Sequence, residues 1–369
     1  MRAWRALSGG RRVDDRERRT LIACSGGADS SALAIALARA SGELVLGHVV
    51  HDLREGKESR ADADAVRALA ARLGLVCDVR EIAARRHGGN LEAAARRERY
   101  RALAEMARAH GCSFIAVAHH ADDQLETMLM KLVRGAGPRG LGAMPARRRA
   151  FFADVAGPRA GCGGSEGGGG ARSGEGGSGA LWLLRPVLGV TRQQCEEICL
   201  AFGWRWQEDA TNADTTRLRA AIRHRVLPTL REISPTASIR ASEAAALLRQ
   251  ASRLVEMKAR ALLRESRCTG EEGSPPRAWS RERWRRAEAI VVGEAIRLLV
   301  REALKATRAI QGQDQAGGGA ESLALDRMHR RDIVRAVRMI RGESTESKRF
   351  VFCGQTLRVT ARDVRIEAG

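Results

Sequence analysis

Residues 20–38 read TLIACSGGADSSALAIALA, a short apolar run that stops at a serine, two glycines and an aspartate and restarts at once as an alanine- and leucine-rich run. Leu21, Ile22 and Ala23 have the pattern of the end of a buried strand, and Ser30 to Ala38 that of a helix without a breaker. The joint Ser25-Gly26-Gly27-Ala28-Asp29-Ser30 has so little side chain that backbone N–H groups and the helix N-terminus can approach a phosphate closely. Gly26 and Gly27 make the room, and Ser25 and Ser30 add hydroxyl donors. Asp29 would be repelled by a bare phosphate, so its presence implies a bridging Mg²⁺, with Asp29 as its ligand. The GxxxxGKS/T pattern is absent and the joint holds no lysine.

The same rhythm continues downstream. Leu44 to Val50, Leu75 to Val79 and Phe114 to Ala118 are strand-like, and 57–73, 91–110 and 121–133 are helix-like. That alternation predicts a parallel sheet covered on both faces. Residues 157–180 are so rich in Gly and Ser that they cannot bury enough apolar surface to offset chain entropy, which predicts a flexible insert between the strand-like pieces FFADV and LWLLRPV. After Thr191 the pattern turns helical, with arginine-studded amphipathic runs over 236–305, a second low-complexity stretch, a helix from Leu325 to Ile340, and a strand pair, RFVF and TLRVTARDVRI, turning at Cys353-Gly354.

The formal net charge of +20 suggests a polyanionic partner, although a base composition that favours arginine and alanine codons would have the same effect. No run of about 18 apolar residues appears, so no membrane partner is expected and a soluble, cytoplasmic protein is. The eight cysteines form no CxxC pair and no Cys-His cluster, and Cys195 with Cys199, one helical turn apart, supply too few ligands for a structural metal.

The hexapeptide SGGADS resembles the pyrophosphate-binding loop of the N-type ATP pyrophosphatases, which cleave ATP to AMP and pyrophosphate while adenylating a substrate. Five further segments narrow the resemblance: HVVHDLREGKESRADADAVRALAARLGL, NLEAAARRERYRAL, AHHADDQLETMLMKLVRGAGPRGLGAM, RPVLGVTRQQCEEI and WRWQEDATNADTTRLRAAIRHRVLPTL. In order and spacing these look like the tRNA(Ile)-lysidine synthetases over roughly residues 20–150 and 181–235. The glycine-rich insert has no counterpart in that pattern, and Ala220 stands after Arg219 where the family shows asparagine.

The resemblance implies a doubly wound α/β domain, a helical domain and a small α+β C-terminal domain. The expected organisation is a basic extension over 1–19, a catalytic domain over 20–235, a helical tRNA-binding domain over 236–305, a linker over 306–324 and a small domain over 325–369. It implies ATP and Mg²⁺ as cofactors, and as partners free L-lysine and the minor tRNA(Ile) with a CAU anticodon, with a homodimer left open. The reaction implied is adenylation of O2 of the wobble cytidine, then displacement of AMP at C2 by the lysine ε-amine. In this mapping Ser25 to Ser30 bind the nucleotide, and Asp29, Arg99, His119, Asp123, Glu126 and Arg219 are catalytic. Asp123 and Glu126 share a helical face and can anchor the lysine ammonium and accept its proton, His119 meets the α-phosphate, and Arg99 and Arg219 clamp phosphate or the activated intermediate. Asp122 needs no more than the helix N-terminal dipole to explain it. Two alternatives stay open: a sulfur-adding tRNA-modifying pyrophosphatase, and a non-catalytic RNA-binding protein.

Overall fold

The computed structural model of the chain describes residues 1–40, 43–51, 56–82, 91–150, 180–207, 218–268, 278–310, 328 and 330–367. Its strands β1 (Thr20–Ala23), β2 (Leu44–His51), β3 (Val76–Ile82), β4 (Phe114–Ala116), β5 (Arg147–Arg149) and β6 (Trp182–Leu184) form one sheet in the order β3-β2-β1-β4-β6-β5. All neighbours run parallel except β5, which pairs antiparallel with β6 at the edge. Chain order runs outward in both directions from β1, so the switch point falls between β1 and β4, where open α/β sheets bind their ligands.

Neighbouring apolar residues on these strands face opposite sides, and both sides are buried. Ile22, Leu46, Phe114 and Leu184 belong to one core cluster, and Leu21, Val45, Ile115 and Leu183 to the other. That is why the strands read as continuous apolar runs rather than as alternating ones. The first face is covered by α1 (Arg2–Leu7), α2 (Ala28–Ala38) and α3 (Gly56–Leu73), and the second by α4 (Leu91–Ala109), which brings Leu103 and Met106. Gly47 lets β2 lie close to Leu21, since a Cβ there would lie 3.0 Å from the leucine side chain and push it aside by a few tenths of an ångström.

Beyond β4 come α5 (Ala121–Val133), α6 (Pro138–Leu141), α7 (Arg192–Ala201), α8 (Leu218–Ala221), a π-turn over Ile222–Val226, α9 (Leu227–Ile233) and α10 (Ala237–Glu265). Cys195 and Cys199 of α7 pack fully buried against α2. Among the described residues, Trp182–Leu184, the strand of LWLLRPV, pairs with Arg147–Arg149, just before FFADV, with Arg147 opposite Leu184 and Arg149 opposite Trp182. FFADV itself, the insert up to residue 179, Leu53 and Arg54, and most of the 306–324 segment lie outside the described residues.

The chain divides into two compact units, Met1–Arg249 and Gln250–Gly369. The second holds β7 (Ala278–Ser280), α11 (Arg281–Arg286), α12 (Ala289–Ile310), α13 (Arg330–Arg341), β8 (Lys348–Phe352), β9 (Gln355–Val359) and β10 (Asp363–Glu367), its strands forming an antiparallel sheet in the order β7-β10-β9-β8. The β8–β9 hairpin turns at Cys353 and Gly354, both at positive φ (52° and 81°), as a two-residue turn requires. The expected second strand is split into β9 and β10, because the Thr360 hydroxyl donates to Asp363 Oδ1 at 2.7 Å and accepts from the Asp363 N–H at 3.0 Å, closing a tight turn. Buried Arg281 donates to the carbonyls of Met339, Ile340 and Gly342 and so satisfies the C-terminal end of α13. Among the described residues no helix is long and apolar enough to cross a membrane.

Trp4 is fully buried in the first core cluster, and its indole N–H donates to the Thr20 hydroxyl at 3.1 Å at the start of β1. Trp4→Ala should therefore destabilise the first unit by about 3–5 kcal/mol, read as a shifted midpoint in urea unfolding. A change under about 1 kcal/mol would show that the N-terminal segment contributes nothing to the core.

Candidate active site

At the carboxyl ends of β1, β2 and β4 the protein encloses a cavity of about 350 Å³. Ser25, Gly27, Asp29 and Ser30 line one side, Gly47 and His48 the floor, and Arg99, Tyr100 and His119 the other side. Gly26, at φ +89°, turns the chain out of β1, and Gly27 caps α2. The Ser30 hydroxyl donates to the Gly27 carbonyl at 3.0 Å and accepts from the Ser25 N–H at 3.1 Å, so the turn is held open by its own residues. The Gln207 N–H donates to the Gly26 carbonyl at 3.2 Å, closing the turn from outside. The result is a helix N-terminus facing an open cavity, the arrangement that receives a phosphate.

Asp29, in the first turn of α2, has one carboxylate oxygen, Oδ1, that is buried with no hydrogen-bond partner. Its Oδ2 lies 3.5 Å from Nε2 of His120. Among the described residues no set of three His, Cys, Asp or Glu side chains is gathered to ligate a metal. A cation here would take Asp29 from the protein and its remaining ligands from a bound phosphate and water.

The strand end after β4 divides the two histidines. His120 turns towards the helices and is almost completely buried, with Nε2 at 3.5 Å from both Asp29 and Asp123 and Nδ1 at 3.6 Å from Asp122. Burial opposes its charge, but the carboxylates of Asp29, Asp123 and Asp122 outweigh it and hold the imidazolium above the ordinary histidine range. His119 faces the cavity, its Nδ1 buried without a partner. Burial, then the guanidinium groups of Arg185, Arg96, Arg99 and Arg219, push it down to about 2, so the ring is neutral.

The acidic start of α5 is shared out. Asp122 accepts the Arg192 N–H at 2.9 Å, pairs with Arg231 at 2.9 Å and accepts the Ser238 hydroxyl, tying α5 to α7, α9 and α10. Asp123 takes the His120 N–H at 3.1 Å and Arg219 at 3.0 Å. Glu126, almost wholly buried, accepts from Arg219 Nε at 2.9 Å and from Arg223 Nε at 2.7 Å. Burial works against Arg223, yet its hydrogen bond to Glu126 leaves it above the ordinary range. Arg219 precedes the π-turn over Ile222–Val226 and Arg223 lies within it; two residues past the turn, Pro228 has no N–H to continue the α-helical ladder.

The expected site residues thus fall into two groups. Ser25, Gly27, Asp29, Ser30, Arg99 and His119 line the cavity, while Asp123, Glu126 and Arg219 form an adjoining cluster, with His120 bridging the two. Gly26 and Ala28 shape the turn without lining the cavity. Sequence reasoning singled out His119 and passed over His120; two histidines in succession at a strand end, aimed at different sides, were the available signal. It also passed over the part of Arg223 as partner of Glu126.

These shifts fix a pH dependence. His120, raised, contributes stability that is complete below the unfolded value of about 6.5 and is lost as pH rises through its folded value. His119, lowered to about 2, costs stability increasingly as pH falls below about 6.5, at up to about 1.4 kcal/mol per pH unit. On lowering pH from about 7 to about 5, His119→Gln should gain stability relative to the parent chain in urea titrations. His120→Gln should be most destabilised at the acid end and recover towards the parent as pH rises above about 6.5. Parallel profiles for the two variants would contradict the assignment.

The PP-loop domain family model matches residues 9–230. The chain is similar to tRNA(Ile)-lysidine synthase of Salinispora tropica, at 42% identity over 63% of this chain and 65% of the relative. It is also similar to the enzymes of that name from Geobacter sulfurreducens, at 33% over 81% of this chain and 60% of the relative, and from Bordetella bronchiseptica, at 34% over 78% and 76%. Against the Salinispora relative the chain spans just under two thirds of the length. With a turn built for phosphate at the switch point of a parallel sheet, and with relatives matched over most of their length, the chain belongs to the tRNA(Ile)-lysidine synthase family of PP-loop proteins.

Proposed function

We propose that the protein ligates L-lysine to C2 of the wobble cytidine of the tRNA(Ile) with CAU anticodon, through an adenylated cytidine, with ATP cleaved to AMP and pyrophosphate. The observation that carries this reading is the open Ser25–Ser30 turn with the unpartnered Asp29 oxygen beside it, in a chain of this family. The α2 N-terminus and the Ser25 hydroxyl receive the pyrophosphate portion of ATP, with Ser30 holding the turn. Mg²⁺ would be held by Asp29 and would neutralise phosphate charge there, a role that the buried, unpartnered Oδ1 fits.

Cytidine O2 attacks the α-phosphorus, the α–β anhydride bond breaks, and pyrophosphate leaves. Arg99, lining the cavity and lowered by burial, meets the charge that spreads over the α-phosphate. His119, neutral and unpartnered at Nδ1, can hydrogen-bond to that phosphate without placing a second full charge in the cavity. In the second step the lysine amine attacks C2 and AMP departs with O2. A free lysine amine costs roughly 4–5 kcal/mol to deprotonate near neutral pH, so a carboxylate must stand close by. Asp123 and Glu126 take that part, with Arg219 and Arg223 balancing their charge. Residues 236–305 and 325–369 grip the tRNA backbone.

Cys195 and Cys199, the pair one helical turn apart, do not supply a thiolate for sulfur transfer. Burial pushes Cys195 up to about 12 and Cys199 up to about 11, and Cys199 is spent on the Ala28 carbonyl at 3.4 Å. Neither is a thiolate near neutral pH.

Radiolabelled lysine should enter a CAU-anticodon tRNA(Ile) transcript only when ATP is present. Asp29→Ala should abolish pyrophosphate release while leaving tRNA binding near that of the parent. No label in the RNA from the parent chain would overturn the reading, and near-normal pyrophosphate release by the variant would overturn the role of Asp29.

A further inference from the structure

Beside the cavity and next to Arg99 the first unit gathers three guanidinium groups that the reaction above does not use, those of Arg96, Arg148 and Arg185. Tyr100 lines the cavity, and around its ring lie Arg96 at 5.2 Å, Arg99 at 5.6 Å and Arg148 at 5.8 Å from the centroid. The Arg96 guanidinium also donates to the Tyr100 hydroxyl at 3.3 Å. Arg185, on the segment leaving β6, is 4% exposed. It donates to the Pro145 carbonyl at 2.6 Å and leaves Nε buried without a partner. Burial, then the charges of Arg148, Arg96 and Arg249, bring Arg185 down to about 10, although Tyr100 acts against them. Among the described residues no carboxylate stands within ion-pair distance of Arg96, Arg99, Arg148 or Arg185.

Three like charges around one tyrosine, with a buried fourth in Arg185 that leaves a donor unspent, are costly without an anion. Planar guanidinium forks suit phosphate oxygens, and the Tyr100 ring keeps those of Arg96 and Arg148 within cation–π range of a shared anchor. Arg96, Arg148 and Arg185 do not line the cavity that holds the Ser25–Ser30 turn, and Arg96 and Arg148 are exposed. Their anion therefore arrives from the solvent side, as part of a strand.

We propose that Arg96 and Arg148, gathered at Tyr100 and reinforced by the buried charge of Arg185, form a second phosphate subsite, separate from the Ser25–Ser30 turn, that takes a phosphodiester of the RNA next to the base delivered to the cavity. This rests on RNA being the substrate, as proposed above. It also gives the lone antiparallel edge strand β5 a purpose: strand alternation sends Arg148 to one face of the sheet and its neighbours Arg147 and Arg149 to the other, where Arg147 stacks on Trp182 at 4.0 Å.

The test measures binding of the CAU-anticodon tRNA(Ile) over a salt series, and of ATP in parallel, for the full chain, Arg148→Ala, Arg148→Lys and Arg149→Ala. Loss of one phosphate contact should flatten the slope of log K against log salt by about 0.7–0.9 in Arg148→Ala, with Arg148→Lys restoring most of it. Arg149→Ala should keep the parent slope, and ATP binding should be unchanged in all four proteins. An unchanged slope in Arg148→Ala overturns the proposal. An equal loss in Arg149→Ala overturns it in favour of a general basic field, and weakened ATP binding in Arg148→Ala overturns it in favour of the nucleotide's own phosphates. A parent chain that binds the tRNA but transfers no lysine overturns the proposed function and leaves the slopes, and this subsite, to be judged on their own.

Discussion

The buried imidazolium of His120 holds the site together. It stands between Asp29 at the start of α2 and Asp122 and Asp123 at the start of α5, at 3.5–3.6 Å from each. These helices leave the carboxyl ends of β1 and β4, the neighbours at which chain order reverses. The three carboxylates together outweigh the burial that opposes the charge on the ring. Remove that cation and Asp29 loses its ion-pair partner at the switch point, while Asp122 keeps Arg231 and Asp123 keeps Arg219.

From that centre the charges separate into two compartments. On the helix side, Arg219 and Arg223 balance Asp123 and Glu126, and Asp122 is consumed in fastening α5 to α7, α9 and α10. On the cavity side, the same strand end presents a neutral ring, His119, next to Arg99 and an open helix N-terminus. A phosphate can therefore enter beside positive and neutral groups, with the Asp29 carboxylate left to a cation, while Asp123 and Glu126, the carboxylates suited to a lysine ammonium, stand outside the cavity on the far side of His120. The two chemical demands of the proposed reaction, polarising phosphate and accepting a proton from an amine, are met by adjoining groups whose charges would cancel if they shared one compartment.

What was legible in the sequence was local. The β1–α2 joint could be read because strand, turn and helix lie within twenty residues, and the apolar runs of β2, β3 and β4 declared a sheet buried on both faces. Asp29 and Ser30 could be placed at the cavity because they lie within that turn. The pairing of Arg219 with Glu126 was not legible, because it joins residues 93 apart and depends on a π-turn beside Pro228. Nor was the difference between His119 and His120, which hangs on which way each ring points after the strand ends. Trp4, a lone aromatic among arginines, gave no sign that it closes the core beside Thr20, and the Thr360 turn is set by a hydroxyl that the alternating pattern around it conceals.

The central claim, that one strand end carries a charged ring towards the carboxylates and a neutral ring towards the cavity, is tested most directly by ring-resonance NMR titration of histidine-labelled protein, with His119→Gln and His120→Gln used for assignment. The account predicts that His120 keeps its proton above the ordinary histidine value of about 6.5, and that His119 stays neutral through the whole acid range in which the protein remains folded, consistent with a value of about 2. Titration of His119 near about 6.5, or loss of the His120 proton below about 6.5, would contradict it.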